Sequence, residues 1–285
     1  MDNLKAKKRH PEEIAVYSAI YVCAAFSVLL LLGIIIYVFA KGARRVNWAF
    51  LTGVTSILHG TVGIAGNILN TLIILLTMII TTPIGVGAAI YLNEYAKPGK
   101  LVTVIIFATE TLAGIPSIIF GLFGMLFFGQ LCHMGYSLLT GSLTLTLMVL
   151  PLVTRNTQEA LKTVPDSFRT GAVGLGAGKW YTIRTILLPS AMPGIVTGVI
   201  LAIGRIIGES AALLFTAGSA HLLPKTFDAF LEKIFHSGGT LTIQLYLSAS
   251  KGEFEVAFGI AVVLLVIVLL INFGTKRLAK KLEKH

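Results

Sequence analysis

Along this chain, apolar runs alternate with short polar segments. Six of the runs, Ile14 to Phe39, Ile68 to Leu92, Leu101 to Phe128, Met134 to Val153, Ala191 to Thr216 and Val256 to Phe273, meet or approach the roughly 20 helical residues that a hydrocarbon layer of about 30 Å demands. In lipid every backbone N–H and C=O must find a partner within the protein, and over lipid-exposed runs of this length only helices achieve that without closing a barrel. The pattern predicts an all-α membrane protein of six transmembrane helices. Residues 1–13 and 274–285 are then polar tails, residues 14–273 the membrane domain and residues 154–190 a long loop within it.

Composition points the same way. The 285 residues are 55% hydrophobic and 13% charged, with a mean hydropathy of +0.85, against roughly 25% charged residues in soluble domains. No segment between the runs is long enough to fold as a separate catalytic domain. The formal net charge of +10 does not indicate nucleic acid, because a polyanion binder gathers its cations on one folded face. Here the basic residues lie between apolar runs and read as topology determinants beside lipid headgroups.

An even number of spans puts both tails on one side. That side gathers sixteen of the 23 basic residues, from Lys5, Lys7, Lys8 and Arg9 through Lys97, Lys100, Arg155, Lys162, Arg169, Lys179 and Arg184 to Lys276, Arg277, Lys280, Lys281 and Lys284. The opposite side has Lys41, Arg44, Arg45, Lys225, Lys233 and Lys251. The positive-inside rule therefore makes both termini cytoplasmic, with Arg44-Arg45 as a local exception. Cys23 and Cys132 read as free thiols, and the first run, which lacks a small-residue cleavage site, as an uncleaved helix.

Within the six runs only Glu110, Arg205 and Glu209 carry charge. Ionisable residues in a membrane are costly and usually face a bundle interior or an aqueous path. Arg205 and Glu209 are four apart, hence on one face of a continuous helix. At 1.5 Å per residue Arg205 lies about 20 Å into the fifth run, and Glu110 about 14 Å into the third from the same side, so the three could meet near mid-membrane. A guanidinium there offers paired donors to a tetrahedral oxyanion, and Glu110 or Glu209 would hold it when the path is empty. The alternative is a structural ion pair that fixes helix packing. Near Glu110, Gly114-Ile115-Pro116 predicts a kink or a cavity lining; Pro83 and Gly85 in the second run predict close helix contact.

The loop from Glu159 to Trp180 is glycine-rich, yet it is no nucleotide cradle. Against Gly178-Lys179, the G-x-x-x-x-G-K-[ST] pattern requires glycine where Val173 stands and Ser or Thr where Trp180 stands. The spacing predicts instead two short helices about a glycine corner, with Trp180, Ile183 and Leu187 as an apolar face for a partner. Gly176, nine intervening residues and Ile186-Leu187-Leu188-Pro189 resemble the G-x9-I-x-L-P half of the loop by which ABC importer permeases dock on their ATPase. Of the Glu-Ala-Ala half, Thr170-Gly171-Ala172 keeps only the final alanine.

Together with the stretch Glu110 to Gly124 and Gly204-Arg205-Ile206-Ile207-Gly208-Glu209-Ser210, the chain resembles the phosphate-specific transport family, the PstA-type subunit in particular. That resemblance implies a type I ABC importer bundle with no catalytic residues and no metal or cofactor of its own. It also implies a sister permease, two ATPase subunits that hold ATP and Mg, and an extracellular or periplasmic phosphate-binding protein, in a bacterial or archaeal plasma membrane. Arg205, Glu209 and Glu110 would serve translocation, and Thr170, Gly171, Ala172, Gly176, Trp180, Ile186, Leu188 and Pro189 the coupling to the ATPase. Another oxyanion such as phosphonate, or a passive anion channel, are the competing readings. His59, His133, His221 and His236 lack metal-ligand spacing and read as surface residues; Asp228, Glu232, Lys233, Glu253 and Glu255 read as a solvated surface.

Overall fold

The computed structural model describes residues 11–56, 61–224 and 226–282. The basic residues of the amino-terminal tail, His59, Lys225, Lys284 and the side chains of Lys280 and Lys281 lie outside the described residues.

Helix α1 (Pro11–Gly42) leads through a 3-10 turn (Ala43–Arg45) and α2 (Trp48–Thr52) to an antiparallel pair of strands, β1 (Val54–Ser56) and β2 (Thr61–Ile64). Then follow α3 (Ala65–Leu75), α4 (Thr77–Ile90) with a π-helical turn (Tyr91–Tyr95), α5 (Lys100–Ala113), α6 (Ser117–Gly124) with a π-helical extension (Met125–Leu131), and α7 (Leu138–Lys162). The chain continues as α8 (Asp166–Gly174), α9 (Lys179–Thr182), a π-helical turn (Ile183–Leu187), α10 (Leu188–Gly208), α11 (Ala211–Thr216), α12 (Phe227–Glu232), α13 (Leu241–Ser250) and α14 (Phe254–Leu282).

Among the described residues five helices, or helices run end to end, are long and apolar enough to cross a membrane: Ala15–Arg45, Ala65–Tyr95, Leu138–Lys162, Lys179–Gly208 and Phe254–Arg277. A sixth is broken, its halves Lys100–Ala113 and Ser117–Leu131 meeting at 102°. The break falls on Gly114-Ile115-Pro116. Pro116 cannot donate a backbone hydrogen bond, and its ring disfavours the helical conformation before it.

The core forms around α7, whose Leu138, Leu145, Met148, Val149 and Val153 are buried against α3, α4, α6, α10 and α11. Small residues allow the approach: a Cβ on Gly85 would stand 2.7 Å from Val153 Cγ1, and one on Gly121 2.7 Å from Ala212 Cα. Buried Thr144 of α7 returns its hydroxyl to the Thr140 carbonyl at 2.7 Å, so its polarity is satisfied within the helix. Gly121→Ala should therefore force α6 and α11 apart at a cost of about 1–3 kcal/mol, typical of overpacking, read as a lowered melting temperature of the purified chain. Gly204→Ala, where a Cβ would meet nothing within 4 Å, should leave it unchanged.

Non-helical backbone also enters the core. Asn67 and Asn70 of α3 donate side-chain hydrogen bonds to the Gly239 carbonyl at 2.9 and 3.0 Å, and Thr71 accepts one from the Leu241 N–H at 3.0 Å. These contacts satisfy a bent segment that would otherwise bury bare peptide groups. Helix α1, by contrast, rests on α14 and the turn that follows it, with none of its apolar span buried.

Two expectations change here. Lys233 is buried rather than solvated, 6% exposed, with its ammonium donating to the Leu222 carbonyl. Burial pushes its pKa below the ordinary lysine range. The second change is the β1–β2 pair, which occupies a segment that the apolar pattern left without structure.

Candidate translocation and coupling site

Arg205 sits in the last turn of α10, where helix carbonyls favour a cation. It is half-buried, and no carboxylate pairs with it among the described residues. Gly204 precedes it and Gly208 follows three residues on, and a Cβ on either would meet nothing within 4 Å, so open small-residue positions adjoin Arg205 along the helix.

Glu209 does not share a helix face with it. The helix ends at Gly208, Glu209 adopts an extended conformation, and its carboxylate turns into the protein, 8% exposed, to accept the Ala212 N–H at 3.0 Å. Its own carbonyl takes the Thr242 hydroxyl at 2.8 Å. The residue expected as the arginine's helical neighbour therefore caps the next helix, α11. Glu110 goes elsewhere as well: its carboxylate is hydrogen-bonded to Arg155 of α7, both groups about half exposed. They line a cavity of about 380 Å³ between α5 and α7 together with Asn93, Gln158 and Glu159. The three intramembrane charges are thus divided between two places.

The loop after α7 is more ordered than its glycines suggest. Gly176 adopts φ +79° at the corner, a conformation that favours glycine, between α8 and the continuous rod of α9 and α10. Ile183 and Leu187 point inward, each 1% exposed, against Ala160, Leu161 and Val164. The outward apolar residues are Phe168, Val173, Leu175, Trp180 and Tyr181, so Trp180 does not share a face with Ile183 and Leu187. Of the other expected coupling residues, Thr170, Gly171, Gly176 and Pro189 are exposed, Ile186 and Leu188 half-buried and Ala172 buried.

One residue pins this loop to the bundle. Arg169 of α8 donates to Glu94 at 2.8 Å, to Asp166 at 3.1 Å and to the carbonyls of Leu161 and Val164 at 3.1 and 3.0 Å. It therefore closes the end of α7 and holds the turn that ends the second span. Hydrogen bonding to Glu94 raises the Arg169 pKa, against the opposing effect of burial. The sequence pattern did not mark Glu94, and it read Arg155 only as a topology determinant. The available signal was a lone acid, Glu94, beside Lys97 and Lys100. No group of three or more His, Cys, Asp or Glu side chains is placed to hold a metal among the described residues.

Five apolar helices and a broken sixth span, with an ordered loop pinned beside them, define a helical multi-span membrane protein. The chain belongs to the binding-protein-dependent transport system inner membrane component family, whose model matches residues 81–285, and it is the permease subunit of an ABC importer. It is 36% identical over 273 residues to a probable ABC transporter permease protein, YqgI, of Bacillus subtilis, covering 92% of this chain and 93% of that protein. It is 34% identical over 244 residues to the phosphate transport system permease protein PstA of Xylella fastidiosa, covering 84% and 82%. Among solved structures, a chain of a bacterial alginate ABC transporter complex aligns with a TM-score of 0.70 at 14% identity, covering 96% of both chains. A chain of the MetNI methionine ABC transporter aligns at 0.59 and 20% identity, covering 75% and 93%. At these identities the structures establish the fold, that of the type I importer permeases.

Proposed function

We propose that this permease carries inorganic phosphate, that Arg205 lies on the route, and that the segment 166–189 takes up the movement of an ATPase partner. The observation that carries the reading is Arg205: a half-buried arginine flanked along its helix by open glycine positions, with its sequence-neighbour carboxylate turned away. Such a group has unused paired donors that suit a tetrahedral oxyanion. Relatives named as phosphate transport permeases, 34–38% identical to this chain, support phosphate as that oxyanion.

In this reading the sister permease completes the pore against the open face of α10, and both tails are cytoplasmic. ATP and Mg are held by two ATPase subunits that close against Phe168, Val173, Leu175 and Trp180, and a binding protein delivers the anion from outside. Arg169 passes the push to the ends of the second and fourth spans at once. Electrostatic attraction draws the anion in, and competition from water, or from Glu110 beyond, lets it leave.

The test is uptake by liposomes containing the assembled transporter and its binding protein. Labelled phosphate should enter only with internal ATP and be displaced by unlabelled phosphate but not by methylphosphonate. Displacement by methylphosphonate would point to a phosphonate permease, and ATP-independent entry to a passive channel.

A further inference from the structure

The three cations that run against the charge asymmetry, Lys41, Arg44 and Arg45, form a built site that the transport reading does not use. Lys41 lies in the last turn of helix α1, and the 3-10 turn that follows closes through the Val46 N–H on the Ala43 carbonyl at 3.2 Å. Gly42 makes this possible. It is buried directly on the Phe258 backbone of α14, where a Cβ could not fit. Opposite it, a Cβ on Gly259 would come within 3.1 Å of Arg45 Cγ, so the arginine stem lies on a second glycine. Its guanidinium stands 5.8 Å from the Phe50 ring centre, and its Nε is buried without a hydrogen-bond partner. Tyr37 meets Phe258 edge to face at 5.7 Å, and the Lys41 ammonium lies 6.0 Å from the Tyr37 ring.

Tyr37, Lys41, Arg44, Arg45 and Phe258 line an open cavity of about 1000 Å³ to which Phe254 and Glu255 also contribute. Three cations face one carboxylate, and none of the four is in an ion pair among the described residues. All the lining residues come from α1, its turn and α14; α10, with Arg205, contributes nothing. The cavity stands at the ends of two apolar spans, ringed by aromatic side chains of the kind found at membrane interfaces.

We propose that this cavity binds the phosphodiester headgroup of an anionic glycerophospholipid, with its acyl chains in the groove between α1 and α14. Paired guanidinium donors suit the phosphate oxygens, and the excess of cations disfavours zwitterionic lipids. The lipid fills space beside an α1 that otherwise touches little, and gives Arg44 and Arg45 a reason to stand where topology opposes them. Free inorganic phosphate shares the chemistry but has no use for the apolar groove.

The assembled transporter, released from bilayers of equal parts phosphatidylglycerol and phosphatidylethanolamine, should retain phosphatidylglycerol on this subunit when weighed by native mass spectrometry. Lys41→Gln, Arg44→Gln and Arg45→Gln should each lower that preference about fivefold, as expected for one cation near a charged headgroup. The double variant Arg44→Lys with Arg45→Lys keeps the charge and should keep most of the preference, which separates lost binding from a loosened α1. Equal retention of the two lipids by the natural chain, retention indifferent to all three glutamine variants, or displacement of the bound lipid by inorganic phosphate would overturn the proposal.

Discussion

Arg205→Gln should reduce phosphate uptake by the assembled transporter at least about thirtyfold, while the complex still purifies with its ATPase. Glutamine keeps much of the length and some hydrogen-bonding capacity but loses the charge. Hydrogen bonds to charged groups contribute about 1.5–3 kcal/mol, and the loss of about 2 kcal/mol corresponds to that factor. Arg205→Lys should fall between, since an ammonium keeps the charge without the planar fork. Because no ion pair of Arg205 is present among the described residues, neither variant strands a buried carboxylate, and the fold should survive both. Full uptake by the glutamine variant would remove Arg205 from the route.

Arg169→Ala should uncouple the machine. It leaves the Glu94 carboxylate, whose side chain is 8% exposed, with the Asn93 amide but no cation in contact among the described residues, and frees the carbonyls of Leu161 and Val164. Removing one partner of a buried ion pair costs about 3–5 kcal/mol, and the partial exposure of Arg169, 23%, puts this case near the lower end. The cost falls on the docking of α8 against the ends of the second and fourth spans. ATP hydrolysis should then continue while phosphate moved per ATP drops, about tenfold or more. Glu94→Gln should be milder, because Arg169 keeps its two carbonyls and Asp166. Equal effects of the two would mean that the salt bridge alone matters, and unchanged coupling in both would exclude this connection.

The helical spans could be read from the sequence because lipid imposes a single rule, internal satisfaction of the backbone, and charge-free length follows from it. The break at Gly114-Ile115-Pro116 was also legible as a kink, since proline and glycine act locally. Its angle of 102° was not, because packing of α6 on α11 sets the direction. Arg205 and Glu209 were misplaced relative to each other for a related reason. The apolar run continues through Ala211 to Thr216, and only Gly208 hinted that the helix stops; the end is fixed by Glu209 capping α11 and by Thr242 bonding its carbonyl. Ile183 and Leu187 do share a face, as their spacing predicts, but periodicity cannot say whether that face meets a partner or the chain's own α7. Lys233 looked like surface because a charged loop residue usually is. Its burial depends on the Leu222 carbonyl, eleven residues away. The pairs Glu94–Arg169 and Glu110–Arg155 are not legible in the sequence because their partners lie 75 and 45 residues apart.

Thiol accessibility beside the arginine tests the central claim most directly. With Cys23 and Cys132 replaced by serine and Gly204→Cys introduced, the assembled transporter should react with a membrane-impermeant charged thiol reagent. Phosphate supplied with its binding protein should slow that reaction. A position that never reacts, or reacts at the same rate with and without phosphate, would contradict an aqueous oxyanion route past Arg205.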